Sequence, residues 1–239
     1  MRKIFIADAH LKSPEDRNYR ALIRFLETLP ADTDTLYLLG DIFEFWIGNP
    51  KPVYSHYREI IDCLKKVRAR GVRIVYFEGN HDFHLGRFFR EQLQAEVHRG
   101  AAVLDIGSQK VCLCHGDQIN RGDYRYRIFR LLLHNLVVEA LVPLFSRRLA
   151  SSAAVTLSRR SSVKRDYRRK RWDYRAILES YARGRFASGC DTVIIGHYHI
   201  PMCQAEQGRL FISIGDWITQ FSYAQWLDGE FTLESFEVT

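Results

Sequence analysis

The sequence predicts an α/β protein: a layered sheet core, closed by late antiparallel strands and interrupted by one helical insertion. Three observations predict it. Short apolar runs rich in β-branched and aromatic residues alternate with amphipathic stretches through the first half of the 239-residue chain. The alternation stops between Asp123 and about Arg185, where only helical patterns occur. It then resumes as strands joined by tight turns.

Element by element, Lys3–Ala7 is a short apolar strand, and Asn18–Leu29 carries Leu22, Ile23 and Leu26 at helical spacing before Pro30. Thr35–Leu39 is a second strand. Tyr54–Arg70 places Ile60, Ile61, Leu64 and Val67 on one helical face and ends at Gly71. Val72–Phe77 is a third strand and Phe83–Leu93 a shorter helix. Ala102–Ile106 and Gln109–Cys114 form a hairpin across Gly107–Ser108. After the helical stretch come strands at Thr192–Ile195, Leu210–Ile214, Ser222–Leu227 and Phe231–Phe236, the last two turning at Asp228–Gly229. The expected organisation is a core of residues 1–122 and 186–239 with an insertion at 123–185.

Composition excludes a disordered or collagen-like chain: 46% of residues are hydrophobic and 26% charged. The first apolar stretch ends at Asp8, too short for a signal-peptide core or a membrane span, so a cytoplasmic protein is expected. Cys63, Cys112, Cys114, Cys190 and Cys203 form no CxxC pair and read as reduced, mostly buried residues. The net charge of +7 is unevenly spread. Between Arg121 and Arg171, twelve Arg with Lys164 and Lys170 face only Asp123, Glu139 and Asp166, so this segment carries +11 and the rest of the chain −4. Such a region should meet an anion: a phosphate-bearing substrate, an anionic membrane surface or nucleic acid.

Five short motifs each follow an apolar strand: Asp8-Ala9-His10, Gly40-Asp41, Gly79-Asn80-His81-Asp82, His115-Gly116-Asp117 and Gly196-His197-Tyr198-His199. Carboxyl ends of strands are where open α/β sheets place their sites. Alternation along an extended strand would point Asp8 with His10, and His197 with His199, the same way. Two carboxylates, an amide oxygen and four imidazoles, with no thiolate, suit Mn²⁺, Fe or Zn²⁺ far better than Ca²⁺. They are too many for one ion and about right for two sharing a bridging carboxylate. Singly, each motif has a plainer reading as a turn, a buried histidine or a helix cap, Asp82 included. The force lies in their conjunction.

The series resembles the calcineurin-like metallophosphoesterase superfamily, with its pattern D-x-H, G-D, G-N-H-D/E, a later H and G-H-x-H. The resemblance implies a four-layer α/β/β/α sandwich with a two-metal site, Mn²⁺ being the first expectation. It assigns Asp8, His10, Asp41 and His199 to one ion and Asp41, Asn80, His115 and His197 to the other, with Asp41 bridging. His81 and Asp82 fall on the catalytic His–acid pair: His81 would donate a proton or hydrogen bond to the phosphate or leaving group, and Asp82 would orient it. A two-metal site directs an activated water in line at phosphorus, so no Ser or Cys nucleophile is needed.

The insertion must choose the substrate. Ile128–Phe145 is a mostly apolar run, with Arg121, Arg125, Arg127 and Arg130 at or before its start and Arg147 and Arg148 following. A greasy helix so flanked fits a cap that holds an acyl chain or leans on an anionic membrane. Its plainer reading is a helix packed on its neighbours. Gly40-Asp41-Ile42-Phe43-Glu44-Phe45-Trp46-Ile47-Gly48 further resembles a stretch of the UDP-2,3-diacylglucosamine pyrophosphatases of lipid A biosynthesis. So do Gly79–Phe83 with Leu85-Gly86, and His115-Gly116-Asp117 with Asp123, Tyr126 and Phe129-Arg130. The best-known members read G-N-R-D where this chain has His81, while others in the wider group keep the His. Tyr198 also stands where Thr or Ser is more usual. The resemblance implies cleavage of a nucleotide-linked glycolipid to UMP and a diacylated glucosamine 1-phosphate. It implies peripheral contact with the anionic inner membrane on its cytoplasmic face. The implied substrate-binding residues are Asn80, Asp123, Tyr126, Arg130, Leu132, Leu136 and Lys164. One rival is another phosphodiesterase, nucleotidase or nuclease on the same core, its insertion gripping nucleic acid. Against that grip, aromatics for base stacking are few in the insertion and its arginines bracket an apolar run. A second rival, a non-catalytic scaffold, would be expected to have lost ligands. The oligomeric state is left open.

Overall fold

A computed structural model of the chain describes residues 1–48, 54–135, 137–138 and 172–238. Two sheets face each other. The first has the order β13-β12-β1-β2-β4-β6, built from Glu230–Ser235, Ser222–Leu227, Arg2–Ile6, Thr33–Leu38, Arg73–Phe77 and Glu96–His98. The second has the order β10-β11-β9-β8-β7, from Met202–Glu206, Arg209–Ser213, Thr192–Ile195, Gln109–Cys114 and Ala102–Ile106. Strands β1, β2, β4 and β6 are parallel, as are β8, β9 and β11, while β7, β10, β12 and β13 pair antiparallel with their neighbours. A two-strand pair, β3 (Trp46–Ile47) and β5 (Asp82–Phe83), joins the loops after β2 and β4.

The two-residue period of the strands builds the layers. Ile4, Ile6, Leu36, Leu38, Ile74 and Tyr76 face helices α1 (Arg17–Glu27), α2 (Arg58–Ala69) and α3 (Gly86–Leu93). Their alternates Phe5, Ala7, Tyr37, Leu39, Val75 and Phe77 meet Val111, Leu113, Ile194 and Ile212 of the second sheet. On that sheet's far side Cys112, Cys114, Val193 and Ile195 pack on Leu178 and Ala182 of a further helix, α5 (Tyr174–Ala187). The result is the four-layer α/β/β/α sandwich. Both faces of the parallel strands are buried, which is why they read as unbroken apolar runs.

Several details differ from the sequence reading. The segment expected to be helical from Phe83 begins as strand β5, and α3 starts only at Gly86. The helix expected from Tyr54 opens with a 3-10 turn, Ser55–Tyr57. Strands β3 and β6 are only two and three residues long and β10 lacks β-branched and aromatic residues, so none registers as a pattern. Tyr174–Ala187, expected within the insertion, is the outer helix of the second sheet, held there by Leu178 and Ala182. The apolar run from Ile128 is not one helix: α4 (Tyr124–Leu133) ends at the C-cap His134. The Asn135 side chain then accepts from the Val138 amide at 2.9 Å, so a capping residue restarts the chain as helix. The rest of that run, with Leu136, Lys164 and most of the arginine-rich stretch, lies outside the described residues.

Candidate metal centre

The five motifs leave the carboxyl ends of β1, β2, β4, β8 and β9, strands parallel within each sheet, so the loops converge along one edge of the sandwich. The loops after β1 and β2 run side by side: the Asp8, His10 and Leu11 amides donate to the Gly40, Asp41 and Ile42 carbonyls at 3.1, 2.9 and 3.0 Å. Side chains are aimed less by strand alternation than by kinks. Asp8, His10, Asp41, His197 and His199 all have φ between 45° and 69°. Such left-handed backbone costs on the order of 1–3 kcal/mol per residue and persists where the surroundings enforce it. Asp and His tolerate it better than most. Gly79 is required on space alone, since a Cβ there would lie 2.1 Å from Asp41 Oδ1 and 2.5 Å from its amide nitrogen.

Two of the residue groups that result could each hold an ion. In one, donor atoms of Asp8, His10 and His199 lie within 4.8 Å of one another; in the other, those of Asp41, His115 and His197 do. Asp41 sits between them: its Oδ2 is 3.6 Å from His10 Nε2 and 3.4 Å from His115 Nε2. Its Oδ1 is occupied, accepting from the His81 amide at 2.8 Å. Asp8 divides its carboxylate in the same way. Oδ2 accepts from the His197 amide at 2.6 Å, and Oδ1 lies 3.5 Å from His199 Nε2 and 3.9 Å from His10 Nε2. Asn80 joins the second group, its Oδ1 3.2 Å from His115 Nε2.

The donor set fits divalent cations. Asp8 Oδ1 and His10 Nε2 are buried without a hydrogen-bond partner. Separations of 3.4–3.9 Å are long for hydrogen bonds and suit two ligands each about 2.0–2.2 Å from a shared ion. His115 Nδ1 donates to the Leu39 carbonyl at 2.8 Å, which turns Nε2 toward Asn80, Asp41 and His197. Protein charges alone answer this crowding with a proton. Burial would push the His115 pKa down, but Asp41, and behind it Asp8 and Asp117, pull it up to about 10. Burial likewise opposes ionisation of Asp41, but His115, His81 and His10 hold its carboxyl well below the usual range. Burial, then the neighbouring His115, pushes His197 down to about 3, so it is neutral at pH 7, as a ligand must be.

The expected catalytic pair is arranged differently. The His81 ring packs edge-on against His10 with centroids 4.7 Å apart, and its Nδ1 donates to the Glu44 carbonyl at 2.8 Å. That carbonyl, not Asp82, holds the ring. The Asp82 carboxylate is fully buried and accepts from the amides of Asp41 (2.9 Å), Ile42 (2.7 Å), Phe43 (3.3 Å) and Gly79 (3.0 Å) and from Tyr76 Oη (2.6 Å). It ties the Gly40-Asp41 loop to the Gly79-Asn80 loop. Burial, then Asp41, raises its pKa to about 7.

Of the candidate substrate residues, Asp123 caps α4 by accepting from the Tyr126 amide at 3.1 Å. Tyr126 Oη donates to Asp117 Oδ2 at 2.6 Å, and Arg130 Nε bonds the same oxygen. These two side chains therefore anchor α4 to the His115 loop. Leu132 is 61% exposed; Leu136 and Lys164 lie outside the described residues. Glu44 and Asp216 were not singled out from sequence. Glu44 Oε2 is 3.3 Å from His10 Nδ1, and Glu44 groups with His10 and His81 as a third possible ligand set. Asp216 Oδ2 is 3.3 Å from His199 Nδ1. Its signal was present: Gly215-Asp216 follows the strand Leu210–Ile214 as the other motifs follow theirs.

The model of the calcineurin-like phosphoesterase family matches residues 1–201. The chain belongs to that family. Among its curated relatives are UDP-2,3-diacylglucosamine hydrolases. That of Aeromonas salmonicida is 32% identical over 98% of this phosphoesterase and 93% of the relative. That of Neisseria meningitidis serogroup B is 28% identical over 95% and 94%. That of Salmonella agona is 38% identical over 62% of each. Among solved structures, an archaeal phosphodiesterase shares the phosphoesterase fold at TM-score 0.50 and 14% identity, over 99% of this chain and all of that one.

Proposed function

We propose that the protein is a two-metal hydrolase that cleaves UDP-2,3-diacylglucosamine to UMP and 2,3-diacylglucosamine 1-phosphate. The observation that carries the two-ion part is Asp41 Oδ2, one carboxylate oxygen between the His10 and His115 imidazoles. Asp8, His10, Asp41 and His199 would hold one ion, and Asp41, Asn80, His115 and His197 the other, with Mn²⁺ the first expectation. When bound, such a pair supplies Lewis acidity and an activated water. The chain's own part is to orient and to move a proton. His81 is held through Nδ1–H, so its Nε2 would give a hydrogen bond or proton at a phosphate oxygen or the leaving group when the ring carries a proton on both nitrogens. Asn80, with Oδ1 turned to the metal site, would present its amide NH2 to the phosphate.

Two features support the lipid substrate: the names of the relatives, and α4. Its Ile128, Phe129, Leu131 and Leu132 are 44–73% exposed beside a site built for phosphate, and Arg125 and Arg127 lie on the same helix. An apolar, basic helix suits acyl chains and the anionic surface they come from. Among the described residues no helix is long and apolar enough to cross a membrane, and contact with the inner membrane would be peripheral. The insertion from 123 onward is read as a cap over the site. The test is hydrolysis of the UDP-linked diacylated sugar in detergent with Mn²⁺, beside a small soluble phosphodiester and beside RNA and DNA. Cleavage of the lipid, with Leu132→Ser losing roughly tenfold to hundredfold on it alone, is expected, since one engaged apolar side chain contributes about 1.5–3 kcal/mol. Cleavage of nucleic acid instead, or equal losses on both small and lipid substrates, would overturn the lipid assignment.

A further inference from the structure

The two ligand groups are not backed alike. Both imidazoles of the Asp8 group have a carboxylate behind them. His10 Nδ1 lies 3.3 Å from Glu44 Oε2, at ion-pair distance but outside hydrogen-bond geometry, and His199 Nδ1 is hydrogen-bonded to Asp216 Oδ2 at 3.3 Å. Asp216 is held by amides of its own loop, Glu44 by burial and a neighbouring lysine. Glu44 is 16% exposed at its side chain, and Lys12 Nζ lies 3.8 Å from its other oxygen. Asp216 Oδ1 accepts from the amides of Ile218, Thr219 and Gln220 at 2.9, 2.7 and 3.3 Å, which leaves Oδ2 directed at His199. In the other group His115 Nδ1 rests on a neutral partner, the Leu39 carbonyl. The nearby carboxylate there, Asp117, is engaged by Arg130 and Tyr126.

A carboxylate behind a ligating imidazole fixes its tautomer, orients the ring and makes it a stronger donor, and losing it costs roughly 10–100-fold in metal affinity or activity. It also adds negative charge a few ångströms behind the ion. A backbone carbonyl orients the ring and adds no net charge. Two such carboxylates serve the group that already holds Asp8 and shares Asp41.

We propose that Glu44 and Asp216 are positioning residues that make the site of Asp8, His10 and His199 the tighter of the two. That site fills first and empties last, and the site of Asn80, His115 and His197 exchanges its ion more readily. The inference rests on the two-ion reading above. Glu44 also couples the tight site to the chemistry: its side chain backs His10 while its backbone carbonyl holds His81, so one residue registers a ligand ring against the proton-donating ring.

The test is equilibrium dialysis of Mn²⁺ into the full-length protein stripped with chelator, read as ions bound per chain, with the apo melting temperature as a check on folding. Wild type should bind two ions in separate steps, the dissociation constants differing by at least about tenfold, as unequal backing of this size implies. His197→Ala should keep the tight step and His10→Ala should lose it. Glu44→Gln and Asp216→Asn should each weaken the tight step roughly 10–100-fold while shifting the weak step by less than about threefold. Glu44→Gln keeps the backbone carbonyl, so the dependence of turnover on His81 should persist when Mn²⁺ saturates. A single affinity for both ions in wild type, or equal weakening of both steps in Glu44→Gln, would overturn the proposal while leaving two bound ions. No more than one ion bound at any concentration would overturn the two-ion reading itself, and this inference with it.

Discussion

Asp41 gives one carboxylate oxygen to the His81 amide and the other to the space between two imidazoles. Asp41→Ala is therefore expected to lose both ions and essentially all turnover, read by metal analysis; two ions retained would refute the bridging role. His81→Ala should behave differently, cutting kcat by roughly 10²–10⁴, the usual size of an acid–base contribution, with ion content unchanged. Loss of an ion in that variant would make His81 a ligand, as its grouping with His10 and Glu44 allows. The candidate ligands were legible in sequence because Asp, His and Asn are polar and placed where apolar runs stop. The partners of those ligands were not. Glu44 looks like any acid between two phenylalanines, and its side chain reaches His10 only because the loops after β1 and β2 lie side by side.

At the scale of elements, Asp82 and Asp117 do related work. Asp82 gathers four amides and the Tyr76 hydroxyl, so Asp82→Ala would leave several buried donors unpaired at about 1–3 kcal/mol each. A large fall in melting temperature is expected even in metal-free protein. A fall in kcat with an unchanged melt would restore Asp82 to the chemistry. Asp117 anchors α4. Burial would raise its carboxyl, but Arg130, then His115 and His197, hold it below the usual range. A carboxyl held lower in the fold than in the unfolded chain, where it lies near ~3.9, stabilises at neutral pH and loses that contribution as pH falls through the folded value. Arg130→Met removes the main counter-charge, so burial should lift that value and move acid unfolding to higher pH. The anchor itself should weaken by about 3–5 kcal/mol at pH 7. Acid titration followed by circular dichroism checks this, and an unmoved midpoint would mean that Arg130 does not hold Asp117.

Across the whole molecule, the site is a seam. Asp8, His10, Asp41 and Asn80 come from loops of the first sheet, His115, His197 and His199 from loops of the second, so ions held between them would clamp the two sheets at their carboxyl edges. Metal should therefore raise global stability, by about 2.7 kcal/mol at a hundred times the dissociation constant. Chelation should lower the melting temperature and added Mn²⁺ should restore it, with the effect abolished in Asp41→Ala. An identical melt with and without metal would separate the site from the stability of the seam.

The sequence by itself determined the alternation of strands and helices, the hairpin at Gly107–Ser108 and the seven candidate ligands, because each rests on local periodicity or on a short motif that neighbours along the chain complete. It determined the four layers only through resemblance, since an apolar run buried on both faces does not say what covers each face. Tertiary structure decided the rest. It placed Tyr174–Ala187 as the outer helix of the second sheet, because Leu178 and Ala182 fit the face formed by Cys112 and Cys114. It put Asp82 to tying loops together and gave the His81 ring to the Glu44 carbonyl, because the pairing of Trp46 with Asp82 brings those loops edge to edge. It set Glu44 and Asp216 behind two imidazoles. Those partners lie 34 and 17 residues away in sequence. A contact across that distance exists only once the strands between have paired.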